Sequence, residues 1–379
     1  MTRTDLLTDS AKPANALQAT PSFSTKKYKI VLLCGGTSNE REISLISAQG
    51  VQQVMQERGH DVVLVDTGER GFMHKIAHSG ADVAFIALHG KGGEDGCIQG
   101  ALELFGIPYT GSGVLASALA MDKARTKVMY ESVGLSTAPG IVVSIVGNDS
   151  LGNSAHCSTA NCPDQKAAED DVARSVQEAH SRVVAEVGIP CVVKPVCDGS
   201  SVGVSVVHDD ASLANALTSA FAVSGEVLVE KFIDGTEITV GVLGNSNAFA
   251  LPIVEIVPRG GFYDFDSKYS AGGCEHIIPA RISDKAALAA SAAGLAAHKV
   301  LGCSGMSRTD MIVDANDKPW LIETNTIPGM TPVSLLPDAA RAAGISAAEL
   351  YESFIFWALE KAGRLSETTE SACERDGRK

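Results

Sequence analysis

The stretch from Ser307 to Asn325 holds Arg308, Asp310, Glu323 and Asn325 on two short apolar runs joined by the polar segment Asp314-Ala315-Asn316-Asp317-Lys318. If the turn centres on Asn316-Asp317, Asp310 lies opposite Glu323 and Arg308 lies opposite Asn325. Side chains alternate along a strand and directly opposed residues share a face, so all four polar groups gather on one face of one hairpin. Two carboxylates and a carboxamide are hard oxygen ligands that suit Mg²⁺ and do not select soft metals. The same groups also serve as an ordinary ion pair at a hairpin end, and this segment alone leaves both readings open.

Other candidates lie on glycine-rich loops. Gly35-Gly36-Thr37-Ser38 precedes an amphipathic run from Glu40 to Arg58, and backbone N–H groups at a helix start suit an anion. The loop lacks both GxGxxG and GxxxxGK[ST], so neither a dinucleotide fingerprint nor a P-loop is present. Glu40 falls in the first turn, where it either complements the helix dipole or clamps an ammonium group. Lys194 ends an apolar run and faces Gly199, Ser200 and Ser201, small residues that let backbone approach a phosphate while the lysine supplies charge. Lys123 and Lys231 add contacts for phosphate or base. Glu230-Lys231-Phe232-Ile233 reads by default as plain strand. Lys268-Tyr269, inside a loop from Arg259 to His276 dense in Gly, Tyr, Asp and Ser, has the composition of a lid.

Composition narrows the class of function. The chain has 379 residues, 45% hydrophobic and 20% charged, which is globular composition with room for two or three domains. A net charge of −14 argues against partnership with nucleic acid or an anionic membrane surface. Nine scattered cysteines without a CxxC pair suit reduced, cytosolic thiols. His156-Cys157 and Cys162 are candidate metal ligands in a polar stretch. No run reaches the roughly 18 apolar residues of a membrane span, and residues 1–25 lack the apolar core of a signal peptide.

The elements that must position these groups follow from periodicity. Lys29–Cys34 reads as a buried parallel strand, with Asp61–Val65 a second strand and Ala81–Leu88 another apolar one, alternating with helices in a doubly wound α/β domain over residues 26–121 with its ligand face at the carboxyl ends of the strands. A central region, 122–229, has a helix from Asp122 to Ser132, a strand from Gly140 to Ile145 and a loose insert, 147–170. A helix from Asp171 to Val187 follows, then a hairpin of Pro190–Pro195 and Val202–Val207. The third region, 230–362, has strands at Thr236–Leu243 and Leu251–Val257, an Ala-rich helix from Asp284 to Leu301 capped by Ser283, and the acidic hairpin. Residues 1–25 and 363–379 read as disordered extensions.

Together these segments resemble the D-alanine–D-alanine ligases of the ATP-grasp superfamily. The motifs are GGTSNEREISL (35–45), ALHGKGGEDGCIQG (87–100), MDKARTK (121–127), VVKPVCDGSSVGVSVV (192–207), VLVEKFIDGTEITVGVLG (227–244), GFYDFDSKYSAGG (261–273) and SRTDMIVD with WLIETNTIPGMTPVSLLP (307–337). The resemblance implies an α/β (α+β overall) ATP-grasp fold in which two mixed subdomains sandwich ATP, and ligation of two D-alanines for peptidoglycan in the bacterial cytoplasm. It implies that Asp310, Glu323 and Asn325 hold two Mg²⁺ (or Mn²⁺) ions on ATP. Lys123 and Lys194 would contact the phosphates beside Ser201, Glu230, Lys231 and Ile233 the adenine side, Glu237 the ribose, and Lys268 the transferred phosphate. Glu40 would bind the first D-alanine in a cluster with Ser200 and Tyr269. Arg308 and the Gly329 N–H would face the developing oxyanion, and Ser334 and Leu335 would hold the second D-alanine carboxylate, with His89 beside the substrates. The resemblance also implies a homodimer. Asp198 stands where the family often has Glu, and the insert and the N-terminal extension have no counterpart. A ligase using D-lactate or D-serine is the alternative, against whose lactate form Tyr269 argues; a non-catalytic ATP-binding regulator would not need the three metal ligands.

Overall fold

A computed structural model describes residues 26–145, 165–197, 202–258 and 273–365. Three sheets organise them. In the first, β1 (Lys29–Cys34) lies between β2 (Asp61–Asp66) and β3 (Val83–Ile86), all parallel, and Tyr109 extends the edge by a parallel bridge to Ala84. Helix α1 (Arg41–Glu57) covers this sheet, α2 (Phe72–Ala77) follows β2, and α3 (Cys97–Phe105) follows the loop after β3. Every residue of β3 is buried, as a strand covered on both faces requires. The glycine loops at Gly35 and Gly90 both fall at carboxyl ends of these strands, as expected.

Helices α4 (Val114–Met121) and α5 (Lys123–Ser132) lead into a second sheet, antiparallel, in the order β4 (Gly140–Ser144), β7 (Glu226–Lys231), β5 (Cys191–Pro195), β6 (Ser205–Val207). Helices α6 (Gln165–Glu186) and α7 (Asp210–Phe221) bury one face of it around Val183, Leu213 and Leu217. Helix α6 starts six residues before the expected Asp171, inside the segment expected to be insert. Gln165-Lys-Ala-Ala-Glu-Asp contains good helix formers, so local propensity extends the helix backward.

The third sheet runs β11 (Cys274–Ile277), β10 (Val254–Pro258), β8 (Thr236–Gly244), β12 (Gly305–Val313), β13 (Pro319–Asn325), with β9 (Phe249–Ala250) beside β8. The expected strand start at Leu251 moves to Val254, and the expected loop ending at His276 closes in β11, which pairs with β10. Helix α8 (Asp284–Val300) starts at Ser283, whose hydroxyl accepts the Ala286 N–H at 3.1 Å. Its alanines let it approach closely: a Cβ at Gly294 would lie 2.7 Å from Val240 Cγ1. That packing buries one face of β8 and β12 and leaves the other for the site.

Helices α9 (Leu335–Ala342) and α10 (Ala347–Lys361) close the chain. Helix α10 packs on β3, α1 and β12, so the core of the parallel sheet continues into that of the third sheet. Phe85 meets Tyr351 edge-on at 5.9 Å. Arg58 forks onto Glu352 at 3.0 and 2.7 Å, tying α1 to α10. Among the described residues no helix is long and apolar enough to cross a membrane.

Candidate active site

The acidic hairpin is β12 and β13. Asp310 is opposite Glu323 and Arg308 is opposite Asn325, as expected, but the route to that register differs. The turn spans three residues, with Asp314 N–H on Lys318 O at 3.1 Å and Asp317 in the left-handed region at φ 64°. That turn alone would misplace the acids by one residue. A bulge at Ile322, between the Asp310–Glu323 and Met311–Leu321 pairs, restores the opposition. On β8, Thr239 lies opposite Asp310 and Glu237 opposite Ile312, so Glu237 shares the site face.

Each carboxylate already has a cationic partner. Arg308 donates from Nε and Nη2 to the two oxygens of Asp310, both at 2.9 Å, and Thr239 Oγ1 donates to Oδ1 at 2.5 Å. Lys123 Nζ lies 3.4 Å from Glu323 Oε2. Asn325 Oδ1 accepts the Ile327 N–H at 2.9 Å and keeps a second lone pair. Two opposed carboxylates, each balanced by a cation, with a carboxamide oxygen two residues on, form a donor set that fits a hard divalent ion.

Helix α5 carries Lys123 to this place. Asp122 caps it by accepting the Arg125 N–H at 2.8 Å, and Tyr130 Oη meets Thr324 Oγ1 at 2.6 Å on the opposite face of β13. Lys127, one helical turn after Lys123, reaches Glu230 Oε1 at 2.8 Å, and Lys194 reaches Glu230 Oε2 at 2.5 Å. Burial pushes the Glu230 carboxyl up, but the charges of Lys194 and Lys127 outweigh it and hold the group below its ordinary value. Neither Lys127 nor its contact was foreseen, although four-residue spacing from Lys123 on a helix was a usable signal. Lys231 is exposed and Ile233 half-buried beyond this triad.

The parallel sheet supplies the other wall. Glu40 is the buried residue preceding α1 and does not cap it with its side chain. It lies against the loop after β3, where a Cβ at Gly90 would stand 2.8 Å from Glu40 Oε2. In that loop His89 is buried with Nε2 3.3 Å from Ser47 Oγ, and burial, opposed by the Glu40 charge, pushes its pKa down. Glu94, another residue not foreseen, folds back to accept the Gly90 N–H at 2.7 Å. Burial, and then the charge of Glu40, push Glu94 up to about 8. No polar periodicity marked it, because its burial comes from loop folding.

The Gly35-Gly36 turn corrects one expectation. Its N–H groups do not await an external anion: Gly35 donates to Ser44 Oγ at 2.8 Å and Gly36 to Asp66 Oδ1 at 3.3 Å. Asp66 at the end of β2 is the anion, forked by Arg41 at 2.9 and 2.5 Å and held at about 2, first by that guanidinium. Beyond the hairpin, Gly329 packs against Ser334, whose Oγ accepts the Thr331 N–H at 3.0 Å. Leu335 is buried in the core, so only its backbone N–H at the start of α9 is available to a ligand. Ser200, Ser201, Lys268 and Tyr269 lie outside the described residues, as do His156, Cys157, Cys162, Asp198 and residues 147–164 of the insert.

Comparison with known proteins places the chain in a family. The family model for the D-ala D-ala ligase C-terminus matches residues 161–356, and that for the N-terminus matches residues 69–112. The chain is 44% identical over 335 residues to the D-alanine–D-alanine ligase of Pelotomaculum thermopropionicum, covering 88% of this chain and 98% of that one. It is 44% identical to the Geotalea uraniireducens D-alanine–D-alanine ligase, with 87% and 95% covered. Among solved structures, the Bacillus anthracis D-alanine–D-alanine ligase complexed with ATP superposes with a TM-score of 0.69 at 29% identity, covering 89% of this chain and 99% of that one. The fold is the mixed helix-and-sheet ATP-grasp fold of those enzymes. With near full-length coverage of such relatives, the chain belongs to the D-alanine–D-alanine ligase family.

Proposed function

We propose that this chain ligates two D-alanines at the expense of ATP, giving D-alanyl-D-alanine, ADP and phosphate for peptidoglycan synthesis. The observation that carries the reading is the opposition of Asp310 and Glu323 beside Arg308 on a sheet face that Glu40 and His89 approach from the parallel sheet. A carboxylate is a poor electrophile. Its oxygen takes the γ-phosphoryl group of ATP, ADP departs, and the acyl phosphate then carries a good leaving group. The free amine of the second D-alanine attacks the acyl carbon and phosphate leaves.

Lys123 and Lys194 meet the phosphates with Ser201, Glu230, Lys231 and Ile233 lie on the adenine side, where Glu230 also holds Lys194 and Lys127 in place, and Glu237 meets the ribose. Asp310, Glu323 and Asn325 are the residues to hold Mg²⁺ or Mn²⁺, which when bound neutralises phosphate charge. Glu40, with Ser200 and Tyr269, takes the first ammonium, and Lys268 the transferred phosphate. Arg308 and the Gly329 N–H meet the oxyanion. Ser334 and the Leu335 N–H hold the second carboxylate. Division at residue 121 and after β7, at Lys231 rather than the expected 229 because that strand stays in the second sheet, supplies three bodies around one cleft. Free thiols and dependence on ATP favour a cytoplasmic enzyme, and we infer a homodimer.

The test is phosphate release from ATP with D-alanine alone, then with D-lactate or D-serine added, and identification of products. Phosphate equimolar with D-alanyl-D-alanine is expected. ATP turnover without the dipeptide, or preferential formation of a depsipeptide, overturns the assignment.

A further inference from the structure

Outside the site just described, Cys274, His276 and Asp338 form a contiguous line. Cys274 Sγ lies 3.3 Å from His276 Nε2, and His276 Nδ1 lies 2.7 Å from Asp338 Oδ2. The first two are at i and i+2 on β11, so they share a face. Asp338 comes from the first turn of α9 and is also bound by Arg341. The His276 and Asp338 side chains are 14% and 12% exposed, whereas Cys274 is half-buried and keeps solvent contact.

We propose that Cys274 is a reactive thiol, activated by His276 and oriented through Asp338, that forms mixed disulfides with low-mass disulfides. The Asp338 carboxylate at Nδ1 fixes a proton there, so Nε2 faces the sulfur and takes the S–H proton as Cys274 reacts, leaving an imidazolium between carboxylate and sulfur. The His276 ring is accordingly pushed up to about 9, first by Asp338 and then by Cys274, with burial opposing. The Cys274 thiolate attacks one sulfur of the disulfide, a protein–S bond forms and the original S–S bond breaks. The departing thiolate takes the Nε2 proton of His276. From α9 only Asp338 and Arg341 face the pair with charge; on neighbouring β10, Glu255 is engaged by Arg281 at 2.6 Å. Among the described residues Cys97 and Cys197 are exposed with no imidazole beside them, and burial raises both, Cys197 to about 11.

The experiment uses the full chain with limiting iodoacetamide between pH 6 and 9, peptide mass spectrometry reading each cysteine, and glutathione disulfide as the probe of adduct formation. At pH 7 Cys274 should alkylate at least about tenfold faster than Cys97 and Cys197, and His276→Gln should remove most of that difference. Glutathione disulfide should add at Cys274 first. Buried Cys34 and Cys303 staying unlabelled report an intact fold in the variant. If the variant unfolds, the unaltered protein decides: Cys274 should alkylate ahead of Cys97 and Cys197 at every pH from 6 to 8. A Cys274 rate equal to that of Cys97 and Cys197, or an unchanged rate in folded His276→Gln, overturns the proposal.

Discussion

Lys194 Nζ lies 2.5 Å from Glu230 Oε2, across neighbouring antiparallel strands in which Glu230 is directly opposite Val192. The two charges therefore meet diagonally on the sheet face, and Lys127 takes the other carboxylate oxygen from α5. One acid thus fixes two lysines supplied by different elements.

Lys127→Ala should destabilise the protein by about 1–3 kcal/mol, because a buried carboxylate loses one of its two cations while Lys194 remains. Glu230 is held below its ordinary value, so its contribution is present above that value and is lost as pH falls through the lower folded one. The variant should lose stability at a higher pH on acidification than the wild type, read by urea unfolding at pH 3–6. An unchanged acid limb would separate Lys127 from Glu230.

Much of this site was legible because it rests on strand alternation and short-range spacing. The hairpin acids, the parallel strands with their glycine loops and the Ser283 cap follow from residues close in sequence. What was not legible depends on long-range closure. Glu94 is buried only because its loop folds onto Gly90 and Glu40, Asp66 occupies the Gly35-Gly36 turn from a neighbouring strand, and Ile322 bulges to correct a turn one residue longer than expected. Resemblance supplied roles for Ser334 and Leu335, but only the packing reveals that Leu335 can offer nothing except its backbone.

Gly329→Ala should disturb the second substrate while sparing the fold. A Cβ there would stand 2.7 Å from Ser334 Oγ, and that hydroxyl is also held by Thr331 Oγ1 at 2.7 Å, so it cannot yield cheaply. Displacement by a fraction of an ångström at a positioning group costs on the order of 10–100-fold. The KM of the second D-alanine should rise more than that of ATP. Equal effects on both would place Gly329 outside the second D-alanine site.

Glu323→Gln keeps size and removes charge at the hairpin. Loss of the carboxylate should lower turnover by about 10²–10³-fold and raise the Mg²⁺ concentration needed for half-maximal rate. Lys123 also loses its ion pair at 3.4 Å, so ATP affinity should change as well. A Mg²⁺ titration with normal midpoint and rate would end the metal assignment.

Stability should fall on both sides of neutrality, for opposite reasons. Burial holds His60, His89 and His298 below the ordinary 6.5, and His298 at about 4. A ring held lower in the folded state takes its proton more readily on unfolding, so each costs stability as pH drops below 6.5, His298 down to about 4. Each contributes at most about 1.4 kcal/mol per pH unit. His276 has the reverse sign: its pairing with Asp338 and Cys274 is fully present below 6.5 and is lost as pH rises through about 9. His298→Gln should flatten the acid limb, even though it also disturbs the 2.8 Å contact with Ser307 Oγ and lowers the maximum. His276→Gln should flatten the alkaline limb and leave the acid one alone. Urea unfolding at half-unit steps from pH 4 to 9.5 measures both slopes. If His276→Gln leaves the alkaline slope intact, the ring is not charged in the folded protein and its role beside Cys274 falls with it.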